Sequence, residues 1–349
     1  MKKSLLALAV LGAFAGVASA QSSVTLYGTV DLNAKYVKND GSARRVSLSQ
    51  DGINSSQLGF RGVEDLGGGL KAGFVLLAGV NADTGSTNSQ FFNRRATVSL
   101  MGGFGEVRLG RDYTPTFWNN TIFDAFGTNG IGDSSHVLQL PTATFVRANN
   151  SIGYFLPSGI GGVYGQFMVA AAEGASGPNP YGVVGGSVGA NPGRYVGGRV
   201  GFAAGPFDIA VAYAQQRFNS GAPDQKTMNI GGSYDLGVAK LMGYFVRDEV
   251  GSLRENRFSV SGVVPLGQGE IHAGYDRSKL SGGVDNKVDQ WKVGYVYNLS
   301  KRTAVYTNVG VVSNGNASRL GVAGGTAITA APTFGGDSKG AEFGVRHFF

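Results

Sequence analysis

Ser23-Val24-Thr25-Leu26-Tyr27-Gly28-Thr29-Val30-Asp31-Leu32-Asn33-Ala34-Lys35-Tyr36 changes character at every step. Its even positions are Val24, Leu26, Gly28, Val30, Leu32, Ala34 and Tyr36, all uncharged and, apart from the Tyr36 hydroxyl, apolar. Its odd positions are Ser23, Thr25, Tyr27, Thr29, Asp31, Asn33 and Lys35, nearly all polar. Side chains on a strand point alternately to opposite faces, so the stretch has one apolar wall and one wet wall. Globular strands run to about 5–6 residues, and this one is far longer. A tilted strand crossing a bilayer needs about 9–11. The apolar face is therefore expected against lipid and the polar face against a water-filled lumen.

The first twenty residues are set aside before the fold is considered. Lys2 and Lys3 are followed by an apolar run over 5–17 and by Ala18-Ser19-Ala20, the pattern of a cleaved signal peptide. An N-terminal membrane anchor is the alternative, but the run is short and lacks a stop-transfer flank. Residues 1–20 are thus expected to be removed, leaving 21–349 as one exported domain. The absence of cysteine excludes a disulfide scaffold. A mean hydropathy of −0.02 resembles a soluble protein, yet it also suits a barrel whose strands face water on one side. The formal charge is +7, and losing Lys2 and Lys3 leaves +5. Dispersed basic residues in an exported chain argue against nucleic acid and for a basic pore that attracts anions.

The two-residue rhythm recurs over 55–63, 70–80, 91–101 and 106–110, then stops over 111–144. It resumes over 145–156, 163–172, 194–202, 207–216, 226–234, 239–247, 255–264, 270–280, 287–298, 303–313 and 339–349. That makes sixteen strands, joined by alternating short and long breaks. A soluble repeat protein would show a fixed period instead. Even strand number, short turns at one end and longer loops at the other describe an outer-membrane barrel. Lipid cannot satisfy an open sheet edge, so the first and last strands are expected to pair. The break over 111–144 carries Tyr113, Phe117, Trp118, Ile122, Phe123, Phe126, Val137 and Leu138, so it needs a surface to pack on. The inner wall of the barrel is the surface available.

Several motifs along the chain resemble the Gram-negative general diffusion porins with a basic pore. They are Ser22-Ser23-Val24-Thr25-Leu26-Tyr27-Gly28, Leu58-Gly59-Phe60-Arg61-Gly62-Val63-Glu64-Asp65-Leu66-Gly67, Asn93-Arg94-Arg95-Ala96, Leu109-Gly110-Arg111, Asp124-Ala125-Phe126-Gly127, Arg147-Ala148-Asn149-Asn150-Ser151 and the final Phe349. The resemblance implies a sixteen-stranded antiparallel transmembrane β-barrel, a homotrimer, and a third loop folded inward to narrow the pore. It also implies an arginine cluster on the wall facing acidic residues on that loop. Arg95 and Arg147 match cluster positions, while a third position falls on Gln57. Arg61, four residues on, points the same way and is expected to compensate. Asp112, Asp124 and Asp133 are the carboxylates of the loop, with Asp124 the best match. Leu77 stands where related chains often carry a wall glutamate, which removes a negative charge from the lumen.

The expected pore constriction is therefore Arg61, Arg95, Arg147, Asp124 and Asp112. Lys35, Lys71, Arg108 and Arg199 are expected among the lumen-lining bases, and Arg111 as an anchor at the base of the loop. The alternating last strand ending in Phe349 resembles a signal read by the outer-membrane assembly machinery. Expected partners are further copies of the chain, outer-membrane lipid and lipopolysaccharide, that machinery and small anionic solutes. No cofactor or metal is expected. His136, His272 and His347 show no metal-ligand spacing and lie beside no G-x-S-x-G motif, which weighs against an enzyme. Passive diffusion of small hydrophilic solutes with anion preference is the expected function. A substrate-specific channel for phosphate or organic anions is the alternative.

Overall fold

The computed structural model describes residues 23–140, 146–171, 194–217, 223–322 and 331–349. The expected leader, and most of the long break after residue 171, lie outside these residues. β1 (Ser23–Asn39) continues three residues past the predicted stretch. Its two faces separate as the alternation requires, with Val24 63% and Leu26 55% exposed while Asp31 is 0% and Asn33 1% exposed.

The next stave of the wall is made of two strands, β2 (Arg45–Gln50) and β3 (Gln57–Gly67). Both pair with β1, and residues 51–56 interrupt them. The sequence reading placed only 55–63 here. The interruption bends inward because the buried Asp31 carboxylate accepts from the backbone N–H groups of Gly52, Ile53 and Asn54, at 3.2, 3.0 and 2.8 Å, and from the Tyr306 hydroxyl. A carboxylate that collects several such donors fixes a stretch that cannot pair as a ladder.

The chain continues through β4 (Leu70–Asn81), a two-residue spur β5 (Ser86–Thr87), β6 (Arg95–Gly102), β7 (Gly105–Tyr113), β8 (Arg147–Phe155) and β9 (Val163–Ala170). Then come β10 (Tyr195–Ala204), β11 (Phe207–Gln216), β12 (Gln225–Asp235), β13 (Lys240–Val250), β14 (Leu253–Leu266), β15 (Gly269–Ser281), β16 (Asn286–Asn298), β17 (Thr303–Asn314) and β18 (Asp337–Phe348). Neighbours pair antiparallel, and β1 pairs with β18 from Thr29↔Phe348 to Asn39↔Ser338. With β2 and β3 counted as one stave and the spur left out, the described wall closes with sixteen staves. Closure leaves no edge for lipid to meet. Short connections gather at one rim, and Gly67, Gly68 and Gly69, at φ +83°, +60° and +80°, make one of them because glycine carries no steric penalty there.

Residues 114–140 run inside the barrel. They form α1 (Pro115–Ile122) and two 3-10 turns, Gly130–Gly132 and Ser134–Val137. The helix packs on β9–β12, and the turns pack on β15–β18. The apolar clusters sit where loop meets wall. One joins Ile131 and Val137 to Val37, Val288, Val312 and Val322, and another joins Phe123 to Ala210, Tyr244 and Val246. Inward valines break the polar-in rule only because the loop covers them. Glycines in the same footprint let the loop approach, and a Cβ at Gly310 would lie 2.8 Å from the Ile131 side chain.

Candidate functional site: an arginine wall opposite an anchored loop

The wall of β3, β4, β6, β7 and β8 carries the basic side. Across this wall Arg95 stands level with Leu77 and Gly59, and Arg61 stands level with Val75 and Thr97, one pleat nearer the short-turn rim. Leu77 therefore does occupy the inner face beside Arg95. Arg61 shares the inner face with Thr25 and is exposed to the lumen, its guanidinium 5.3 Å from the Tyr27 ring centroid. Gln57 is two pleats from Arg61 along the same face, opposite Thr29.

Tyr113 organises the centre of the cluster. Its hydroxyl accepts from Arg94 at 3.2 Å and from Arg147 at 3.1 Å, while the Arg95 and Arg147 guanidiniums lie 5.5 and 4.5 Å from its ring centroid. An aromatic face attracts cations, so one phenol gathers three like charges. Arg94 was not among the expected residues. The sequence reading ran the strand over 91–101, which put Arg94 on the lipid-facing parity; β6 begins only at Arg95, so that parity does not hold for Arg94, and the Arg94-Arg95 doublet was the available signal.

Asp112 is not a loop carboxylate. β7 extends to Tyr113, which places Asp112 on the wall, 2% exposed, 2.7 Å from Arg95 and 2.6 Å from Arg108. Arg108 also binds Glu106 at 2.9 Å. Arg111, expected as an anchor of the loop, donates to the Asn93 carbonyl at 2.6 Å and to Asn149, which tie it to its neighbours along the wall. Lys71 is exposed near the short-turn rim.

Asp124 was expected to face the arginines across the lumen, and it does not. Its side chain is 0% exposed and bound to Lys292 at 3.0 Å on the opposite wall, where Lys292 also meets Asp276 at 3.0 Å and the Gly132 carbonyl at 2.9 Å. Lys35, expected to line the lumen, is likewise covered, its side chain 6% exposed and 3.3 Å from Glu342. Glu342 in turn accepts from the Ile131 N–H at 3.1 Å. Glu255 accepts from the N–H groups of Gln139 and Leu140 at 2.9 and 2.8 Å and lies 3.8 Å from Arg257. Arg199 donates to Asn119 of α1 and to the Tyr164 hydroxyl, so it holds the helix rather than standing free. Asp133 caps the second turn, accepting from Ser135 N–H at 2.7 Å. Burial holds the His136 imidazole below its ordinary value. Lys35 and Lys292 push the same way, against Asp133.

The sequence profile of the Gram-negative porin family matches residues 7–317. Outer membrane porin protein 32 of Delftia acidovorans is 40% identical over the full length of both chains. An outer membrane porin protein of Bordetella pertussis is 29% identical, over 88% of this chain and 93% of its own. Among solved structures, the anion-selective porin from Comamonas acidovorans superposes with a TM-score of 0.83 at 37% identity, covering 94% of this chain and all of that one. OmpF of Salmonella typhi shares the fold, with a TM-score of 0.63 at 15% identity, covering 93% of this chain and 97% of its own. Closed wall, inward loop and full-length similarity lead to one conclusion: the chain belongs to the Gram-negative porin family and is an outer-membrane β-barrel diffusion channel.

Proposed function

We propose that the channel passes small hydrophilic solutes with a preference for anions, and that Arg61, Arg95 and Arg147 set the preference. One observation carries this reading. On the basic wall the arginines keep partial access to the lumen, whereas Asp124, Asp276, Glu255 and Glu342 are sealed between loop and wall, each with its charge matched or hydrogen-bonded. The exposed field is therefore mainly positive. Arginine suits the task because it stays charged and is weakly hydrated. Rings or patches of one sign in a narrow lumen select ions by sign. The anion selectivity of the Comamonas acidovorans relative supports the same reading.

Lys71 and Arg108 extend the positive strip along the lumen, with Arg108 muted by Glu106 and Asp112. Assembly as a homotrimer and recognition of the Phe349-terminated strand by the assembly machinery belong to the same proposal. The Phe349 N–H and carbonyl pair with Gly28 of β1 at 3.1 and 3.2 Å. Nothing in the proposal assigns the barrel a catalytic role. The test is single-channel recording in a planar bilayer under a salt gradient. A reversal potential on the anion side, with conductance linear in solute concentration, is expected. A cation-side potential overturns the reading, and saturation by one anionic solute would replace the general pore with a substrate-specific channel.

A further inference from the structure

The interruption of the second stave, residues 51–56, brings an acid into the channel close to the arginine wall. Asp31 lies on the inward parity of β1 and is 0% exposed, with the N–H groups of Gly52, Ile53 and Asn54 on its carboxylate. The interrupting segment therefore lies on the lumen side of β1. Asp51 opens it. The Asp51 N–H donates to the Asp31 carbonyl at 3.1 Å, and its side chain reaches across the mouth of the bend to accept from the Ser56 N–H at 2.6 Å. Unlike Asp31, Asp51 stays partly exposed. Its φ is +62°, a left-handed conformation that is uncommon outside glycine and best tolerated by asparagine and aspartate. Strain of this kind persists only where the surroundings hold it, and it gathers at functional positions.

Other inward acids are already matched. Asp112 holds Arg95 and Arg108, Glu106 holds Arg108, Asp124 holds Lys292, and Glu270 lies 3.1 Å from His272. Among the described residues no cation pairs directly with Asp51. Of the charges around it, Arg94 attracts its carboxylate and Asp31 repels it. Arg94 immediately precedes β6, and its N–H donates to the Leu77 carbonyl of β4 at 3.1 Å. β4 lies between Arg94 and the bend, which it meets where the Val80 N–H donates to the Ser56 carbonyl at 3.1 Å. On its inner face at this level β4 presents Gly79, opposite Gln57, and so adds no side chain there.

We propose that Asp51 sets the strength of the ion preference, as an open carboxylate beside Arg94 that weakens the pull of the arginine wall on anions. The bend, rather than the inward loop, supplies the acid that the arginines face. A channel must hold an ion weakly enough to release it, and one carboxylate at the margin of a basic patch lowers the local anion concentration. The inference rests on the arginine wall as the selective element. Its measured quantity is the change from native channel to variant, so the two readings fail separately.

Asp51→Asn removes the charge alone, because asparagine keeps an acceptor for the Ser56 N–H and tolerates a positive φ. Reversal potentials of the native and variant channels would be recorded in planar bilayers under a salt gradient near about 0.1 M. The anion-to-cation permeability ratio should rise about threefold over the native channel. The difference should shrink toward about 1 M salt, where screening acts within about 3 Å. Asp51→Gly, which also suits the backbone, should give the same ratio. Asp65→Asn, a like change at the exposed short-turn rim, should leave the ratio unchanged. An unchanged ratio in Asp51→Asn overturns the proposal. So does a rise confined to Asp51→Gly, which would trace the effect to the shape of the bend, or an equal rise in Asp65→Asn, which net charge alone would explain. A native channel that prefers cations overturns the anion-preferring pore, while the threefold rise in Asp51→Asn would still support Asp51 as a determinant of selectivity.

Discussion

Two walls of one barrel treat charge in opposite ways. On β3–β8 the arginines crowd one another around Tyr113 and look into the lumen. On β13–β18 and β1 the charges that lie under the loop are paired: Lys292 with Asp124 and Asp276, Lys35 with Glu342, and Arg257 with Asp248 at 2.7 Å. Both walls follow the same polar-in rhythm. What separates them is the loop, which covers one set of inward charges and leaves the other open to the lumen. On the proposed reading, ion preference follows from which charges stay wet rather than from net charge.

The comparison can be broken most severely at Lys292. Lys292→Met strands Asp124 and Asp276 without their cation, and removing one partner of a buried pair costs about 3–5 kcal/mol. A large fall in the thermal midpoint of the barrel in detergent is expected, together with raised single-channel conductance as the loop detaches. A milder cut is Glu255→Gln, which weakens two backbone anchors of the loop and leaves Arg257 with Asp248. Hydrogen bonds to a charged group contribute about 1.5–3 kcal/mol, so faster amide exchange at Gln139 and Leu140 is the expected readout.

Salt sharpens the contrast without mutation. Open charges are screened over about 10 Å at 0.1 M and about 3 Å at 1 M, whereas sealed pairs are screened far less. Anion preference should therefore decline steadily from 0.1 to 1 M salt while thermal stability hardly moves, both followed on one preparation. The smallest effect belongs to Lys35→Gln. Its cation is covered and matched by Glu342, so the reversal potential should stay close to that of the unaltered channel even though a positive charge has gone.

Much of this fold was legible in the sequence, because a period of two survives any loop inserted between strands. The stretch from Ser23 announced its faces, and closure followed from the absence of hydrogen-bonding partners in lipid. The split of the second stave was not legible. It depends on Asp31 collecting donors from residues 52–54, a contact that no alternation encodes. Within the site, strand parity turned Arg95 and Arg147 inward, and the resemblance singled them out among the inward bases. Asp112 was misplaced by ending β7 three residues early, since the break was read as starting at Arg111. Asp124 was misjudged for another reason. A side chain on a loop has no parity, and its direction is set by Lys292, 168 residues away. The inward valines at 37, 288 and 312 depart from the polar-in alternation, and they mark where the loop lies.

The filter is tested most directly by the reversal potential of Arg95→Gln/Arg147→Gln under a salt gradient, with the unaltered channel recorded alongside. Losing the two lumen-side cations, Arg95 bound to Asp112 and Arg147 beside Tyr113, should lower the anion-to-cation permeability ratio by about fivefold, corresponding to roughly 1 kcal/mol at the constriction. An unchanged ratio in a variant of normal conductance and normal thermal midpoint would contradict the assignment of selectivity to this wall.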